Sequence, residues 1–255
     1  MTYRQTVASL VALVATTVLF VAQPVASQDD FTRLLQEVSS FRGQGFTLPL
    51  PEGVPARYAR RMEDVSETRF QAEATALAAF AARLAAIDRT TLSPAVQVDA
   101  EILHRQLRDR LNELRFRAFE IPIGSREGFH FNLPALPDRF AFTAVAHFDN
   151  YIAQLQSWQE HTRQRIAAMR RGVAAGRTMP RQLLEGYDAP VAAQIVNDVT
   201  TSGLFAPFSR IPATFSDEDR ARILRDGTAA LRDSVMPGLR EFLDFLQREY
   251  RPGAR

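Results

Sequence analysis

The side chains that could do chemistry here are few, and their spacing narrows the choice. There are four histidines, His104, His130, His147 and His161. None is followed by Glu, so the His-Glu-x-x-His helix of zinc hydrolases is not formed. Glu101 and His104 stand three apart in a helical segment, a pairing also used by carboxylate-bridged di-iron bundles, where two such pairs and two further glutamates converge. Glu127 and His130 repeat the spacing, but with Gly128 between them in a loop. The simpler reading of His104 is a partly exposed residue beside an apolar stripe. Nucleophilic chemistry has no support: there is no Gly-x-Ser-x-Gly elbow. Gly43-Gln44-Gly45 lacks a third glycine and a preceding strand. A Gly-x-x-x-x-Gly-Lys phosphate loop is impossible, because all 31 basic residues are arginine. Helical carboxylates are too abundant to single out an acid–base pair. The sequence therefore names no catalytic, metal-binding or substrate-binding residue, and no cofactor within this chain.

The most basic stretch holds Arg163, Arg165, Arg170, Arg171, Arg177 and Arg181. It could face an anionic polymer or lipid headgroups, but the favoured reading is a solvated helix face. The net charge is only +2 over 255 residues, with acids and arginines interspersed, which argues against a nucleic-acid partner. There are no cysteines, hence no disulfide or thiolate chemistry.

The elements that would position such residues are helices. Ser93 can cap, and Pro94 suits a first helical position. Val96, Ala100, Leu103, Leu107, Leu111, Leu114 and Ala118 then recur every three or four residues, predicting one apolar face from Ser93 to Glu120. Glu101 with Arg105, and Glu113 with Arg117, have the spacing of surface ion pairs worth about 0.3–0.5 kcal/mol each. A buried leucine is worth about 1.5–3 kcal/mol, so the stripe dominates and demands partner helices. A helix from about Ala56 to Ile87 should pair with it as an antiparallel hairpin, turning at Asp88–Leu92. A shorter helix capped by Asp29 or Asp30 should precede the Gly- and Pro-rich loop 42–55.

Further on, Thr143 to about Ala175 is helical, with Phe148, Ile152, Leu155, Trp158, Ile166 and Met169 inward and Gly176 as its stop. Pro180 should open another helix, restarted at Pro190. Ser216 begins a capping box with Asp219, and an apolar stripe from Ile223 to Tyr250 continues across Pro237. Two loops, 121–141 and 202–215, are rich in both proline and phenylalanine. The first is expected to clasp the core, or else to wall a pocket. The whole predicts an all-α, multi-helix bundle of long antiparallel helices over residues 28–255.

Residues 1–27 have the form of a signal peptide. Arg4 is the charged start, Val7–Ala22 the apolar run, and Val25-Ala26-Ser27 the small residues before cleavage. An exported protein, periplasmic or extracellular and without stable membrane insertion, is the expectation.

The order of elements resembles the N-terminal half of the bacterial domain of unknown function 885 family. The matching blocks include Asp99-Ala100-Glu101-Ile102-Leu103, Leu114 to Pro122, Phe148-Asp149-Asn150-Tyr151-Ile152, Met179-Pro180-Arg181, Phe205-Ala206-Pro207-Phe208, and Val235 to Leu239 with Phe245 to Tyr250. The resemblance implies an all-α, zincin-like protein of a probable metallopeptidase family. Its members are about twice this long and carry a His-Glu-Ala-x-Pro-Gly-His-His-type zinc motif in the C-terminal half. No position here matches that motif. The implied function is a non-catalytic N-terminal lobe, truncated or split from its partner. Zinc would come only with the missing half, the partner would be a C-terminal lobe or companion chain, and the full-length protein's substrate would be peptide-like. The alternative is a free-standing periplasmic binding or scaffold protein. A half-molecule is further expected to expose a large apolar face.

Overall fold

A computed structural model describes residues 24–124 and 127–255. Residues 1–23, most of the expected signal peptide, lie outside it. Helix carries the described chain: besides two isolated bridges, Thr47 with Glu63 and Ile123 with Gly128, it contains no strand pairing.

Three helices form one layer. They are α1 (Pro24–Gly43), α2 (Glu67–Ala86) and α3 (Pro94–Arg115). Ser93 caps α3 with Pro94 in its first turn, as expected. Ala100, Leu103, Leu107 and Leu114 are buried against Phe70, Leu77 and Leu84 of α2 and Phe31, Leu34 and Val38 of α1. The α2–α3 hairpin is antiparallel, with Asp88 accepting from the Thr90 N–H at the turn.

The starts and ends of these helices differ from expectation, each for a local reason. Helix α1 begins before Asp29 and Asp30, so neither aspartate caps it. Helix α2 begins at Glu67 rather than near Ala56, because the Ser66 hydroxyl caps it by accepting from the Arg69 N–H. Residues 60–66 are instead a strap without helix. The Met62 N–H donates to Ser157 Oγ at 2.9 Å, and the Val65 N–H to Gln164 Oε1 at 2.8 Å. Helix α3 ends at Arg115, where Arg117 takes a left-handed conformation (φ 57°). That turn takes Arg117 away from Glu113. Glu113 pairs with Arg110, and Glu101 pairs with Arg89 rather than Arg105.

The second layer is built on α4 (Val145–Ala174), whose buried face is the one expected. Its end is a Schellman stop: Gly176 has φ +67°, and the Arg177 N–H reaches back to the Gly172 carbonyl at 2.8 Å. No long helix follows. Residues Arg181–Leu184 form a 3-10 turn, α5 is only Ala189–Ala192 with Pro190 in its first turn, and Gly203–Arg210 is a 3-10 helix.

The chain then forms one continuous helical run: α6 (Asp217–Ala230), a π turn (Leu231–Val235), α7 (Met236–Phe245), a second π turn (Leu246–Tyr250) and a last turn at Arg251–Gly253. Each π turn ends two residues before a proline, Pro237 or Pro252. A proline ring clashes with the carbonyl four residues back in a regular helix, and the wider turn relieves that clash. The pairings Asp149–Arg222, Arg163–Glu241 and Arg170–Glu249 ascend together along both partners. The C-terminal run therefore lies parallel to α4, so the antiparallel arrangement holds for the hairpin and gives way here. The crossover through residues 175–216 carries the chain back to the start of α4.

The C-terminal run and the 3-10 helix Gly203–Arg210 meet closely at Gly227, whose missing side chain seats the ring of buried Phe208. Gly227→Ala would gain about 1 kcal/mol of helix propensity, but its methyl would overlap that ring, and overpacking costs about 1–3 kcal/mol. A net loss of stability, read as a lowered thermal midpoint, is the expected result; a raised midpoint would contradict this packing.

A candidate anion-binding cleft

The basic stretch is neither a free cationic face nor simply solvated. Arg163 and Arg170 pair with Glu241 and Glu249 of the C-terminal run. Arg171 and Arg177 turn to Glu120, which is fully buried. Arg181 is exposed, and Arg165 lines a polar cleft of about 610 Å³.

Three elements make this cleft. From α4 come Gln154, His161 and Arg165, seven and four residues apart and so on one helix face. The strap supplies Arg61, Met62 and Glu63, held by its two backbone bonds to α4. The third wall is the loop 121–139, contributing Ile121, Glu127, Phe129, Asn132 and Arg139. Two bonds fix it: the Gly124 N–H donates to the Glu127 carbonyl at 2.8 Å, and Tyr187 Oη donates to the same carbonyl at 2.8 Å. This loop is thus both clasp and pocket wall, since Phe129 also packs on Trp158 and Phe242.

His161 sets the electrostatics of the floor. Its Nδ1 donates to the Glu63 carbonyl at 2.8 Å, while Nε2 faces Arg165 Nε at 3.4 Å. Burial, reinforced by the Arg165 charge, pulls its pKa down to about 4, so the ring is neutral at pH 7. With both nitrogens engaged and so low a pKa, it is a poor general base. Among the described residues, the cleft lining contains no serine, threonine, cysteine, tyrosine or lysine. The arrangement is suited to binding rather than to bond-making.

The residues singled out from sequence lie apart. Glu101 and His104 are 3.8 Å apart on the exposed side of α3, and Arg89 holds Glu101 at 2.6 Å. Glu127 is exposed at the cleft, whereas His130 is fully buried among Phe129, Phe131, Tyr187 and Phe242. Among the described residues, no three His, Asp or Glu side chains are grouped to hold a metal ion. Arg61 went unnoticed in the sequence, as did the joint role of His161 and Arg165. The Gln154, His161, Arg165 spacing was the available signal.

A second hollow of about 730 Å³ lies between α2 and α3. It exists because Ala74, Ala78 and Ala81 are too small to fill the space beside Phe70, Leu111 and Phe119.

A family model described as "Bacterial protein of unknown function (DUF885)" matches residues 51–255. All the cleft residues fall within that span, and α1 falls outside it. No curated protein and no solved structure gives a match. No helix among the described residues is long and apolar enough to cross a membrane.

Proposed function

This chain belongs to the bacterial DUF885 family, and from that membership we propose that it is the non-catalytic, N-terminal helical lobe of an exported, zinc-metallopeptidase-like protein. In this reading a C-terminal lobe or companion chain supplies the zinc ligands and the activated water, since a catalytic zinc needs about three protein ligands. The present chain supplies one wall of the substrate site. The observation that carries the reading is the polar cleft: it has charged and amide groups to hold a ligand, but among the described residues its lining offers no nucleophile and its histidine is occupied.

The test is elemental analysis and a peptide-hydrolysis assay on the purified chain. No stoichiometric zinc and no hydrolysis are expected. One zinc per chain with chelator-sensitive hydrolysis would overturn the proposal. Translating the DNA beyond Arg255 in all frames should reveal a His-Glu-rich motif.

One observation favours the alternative, a free-standing binding protein. The helical stripes are covered within the chain, and the exposed large apolar residues, Leu35, Val98, Ile102, Phe116, Leu183 and Leu224, are spread over several elements. The broad apolar face expected of a half-molecule is not formed among the described residues, because α1 covers the hairpin and the C-terminal run covers α4. That reading requires a stable monomer by light scattering; aggregation would count against it and for a missing companion.

A further inference from the structure

We propose that the cleft between the strap, α4 and the loop 121–139 binds the free C-terminal carboxylate of a short peptide, with Arg61 and Arg165 as the groups that receive it.

Arg61 is the reason to expect an anion. It is only 7% exposed, its Nε has no hydrogen-bond partner, and no carboxylate lies within ion-pair distance among the described residues. Glu160 acts on it only from farther away. An arginine stays charged at any ordinary pH, and a buried charge without a partner is strongly unfavourable. Arg61 lines the cleft, so an anion entering there can complete its pairing.

Arg165 is nearly as poorly matched. Its side chain is 18% exposed, Glu63 is 4.0 Å away and more strongly drawn to Arg69 at 3.5 Å, and its other neighbour is the neutral His161 ring. Arg139 stands at the rim.

The remaining lining sets the class of anion. Among the described lining residues, Arg61, Arg139 and Arg165 against Glu63 and Glu127 leave one net positive charge, which suits a monoanion better than a phosphate dianion. The side-chain amides of Asn132 and Gln154 can bond a peptide unit, and Phe129 with Met62 offers apolar surface for one side chain. Choosing a peptide over another carboxylic acid rests on the function proposed above. The carboxylate itself does not.

Calorimetric titration of the full chain tests this with four probes: the dipeptide Ala-Phe, its C-terminal amide, benzoate and inorganic phosphate. Saturable binding of Ala-Phe is expected, at least tenfold weaker for the amide, with phosphate weaker still. Arg165→Gln and Arg61→Met should each weaken Ala-Phe at least tenfold. Arg61→Met should also unfold at an equal or higher temperature, because it removes a buried, unpaired charge; a merely structural arginine would lower that temperature. No saturable binding of Ala-Phe, equal binding of the amide, tighter binding of phosphate, or a sharp loss of stability in Arg61→Met would each overturn the proposal. Benzoate binding as tightly as Ala-Phe would overturn the peptide assignment. None of these measurements needs zinc or a companion lobe, so a negative result leaves the proposed function to its own test.

Discussion

Glu120→Ala is expected to cost about 3 kcal/mol of folding stability, the lower end of what breaking a buried ion pair costs. The carboxylate has no solvent exposure, yet three arginines converge on it. Arg117 Nε donates at 2.6 Å and Arg177 Nε at 2.7 Å, while Arg171 approaches to 3.8 Å. Arg117 and Arg171 also hold Glu67 at the start of α2, at 2.6 and 2.8 Å. The Arg117 hydrogen bond is the main reason that the Glu67 carboxyl titrates below its usual range. One buried carboxylate thus ties the end of α3 and the start of α2 to the end of α4. The estimate is placed low because the arginines are each about a third exposed (32–39%) and can turn to water once the anion is gone. Glu120→Gln, which keeps the shape and loses the charge, should fall between the variant and the parent. Urea unfolding at neutral pH measures both, and a cost below 1 kcal/mol for Glu120→Ala would show that the junction is held by packing alone.

Acid is expected to weaken the fold between pH 6.5 and 4, a window that belongs to two histidines. Burial lowers His130 to about 4, and burial with the Arg165 charge lowers His161 to about 4, both from 6.5. Above pH 6.5 neither the folded nor the unfolded chain protonates them. As pH falls below 6.5 the unfolded chain takes up the protons and the folded chain does not, so stability drops until about pH 4, by up to about 3 kcal/mol for each histidine. Glu67, Glu241 and Glu249 act in the same direction, but from carboxylate values already below 4.5, and so at lower pH. His130 is the cleaner test, because both ring nitrogens lack a partner in its aromatic nest. His130→Leu should be neutral or stabilising at pH 7 and should remove about half of the loss between pH 6.5 and 4. An unchanged slope of urea midpoint against pH would refute the assignment.

The helices were readable wherever periodicity and caps agreed. The Ser93–Pro94 start of α3, its Ala100–Leu114 stripe, the Phe148–Met169 face of α4, the Gly176 stop and the Ser216 cap all stand where the sequence placed them. Family membership was legible as well, because it is spread over ordered blocks rather than held in one motif. What escaped was decided by partners distant in sequence. The strap at 60–66 has good helix formers around it and is extended because Ser157 and Gln164 capture two of its N–H groups and residues 46–48 pair with Met62 and Asp64. Arg117 had a proper partner four residues back and left it for Glu67 and Glu120, 50 residues away and three residues on. The cleft was least visible of all: among 31 basic residues, nothing local distinguishes an arginine that will be buried without an acid from those that will find one.

The second π turn fixes a matter of chain length. Arg163 and Arg170 are seven residues apart on α4, yet the glutamates they grip, Glu241 and Glu249, are eight apart. The wide turn at 246–250 takes up the odd residue. Deleting one position there would rotate everything beyond it by about 100°, swinging Tyr250 away from the Met179 N–H that it now accepts from. The exposed side chains of that segment, such as Arg248, can be exchanged with modest consequence, but its residue count works like the number of teeth on a gear.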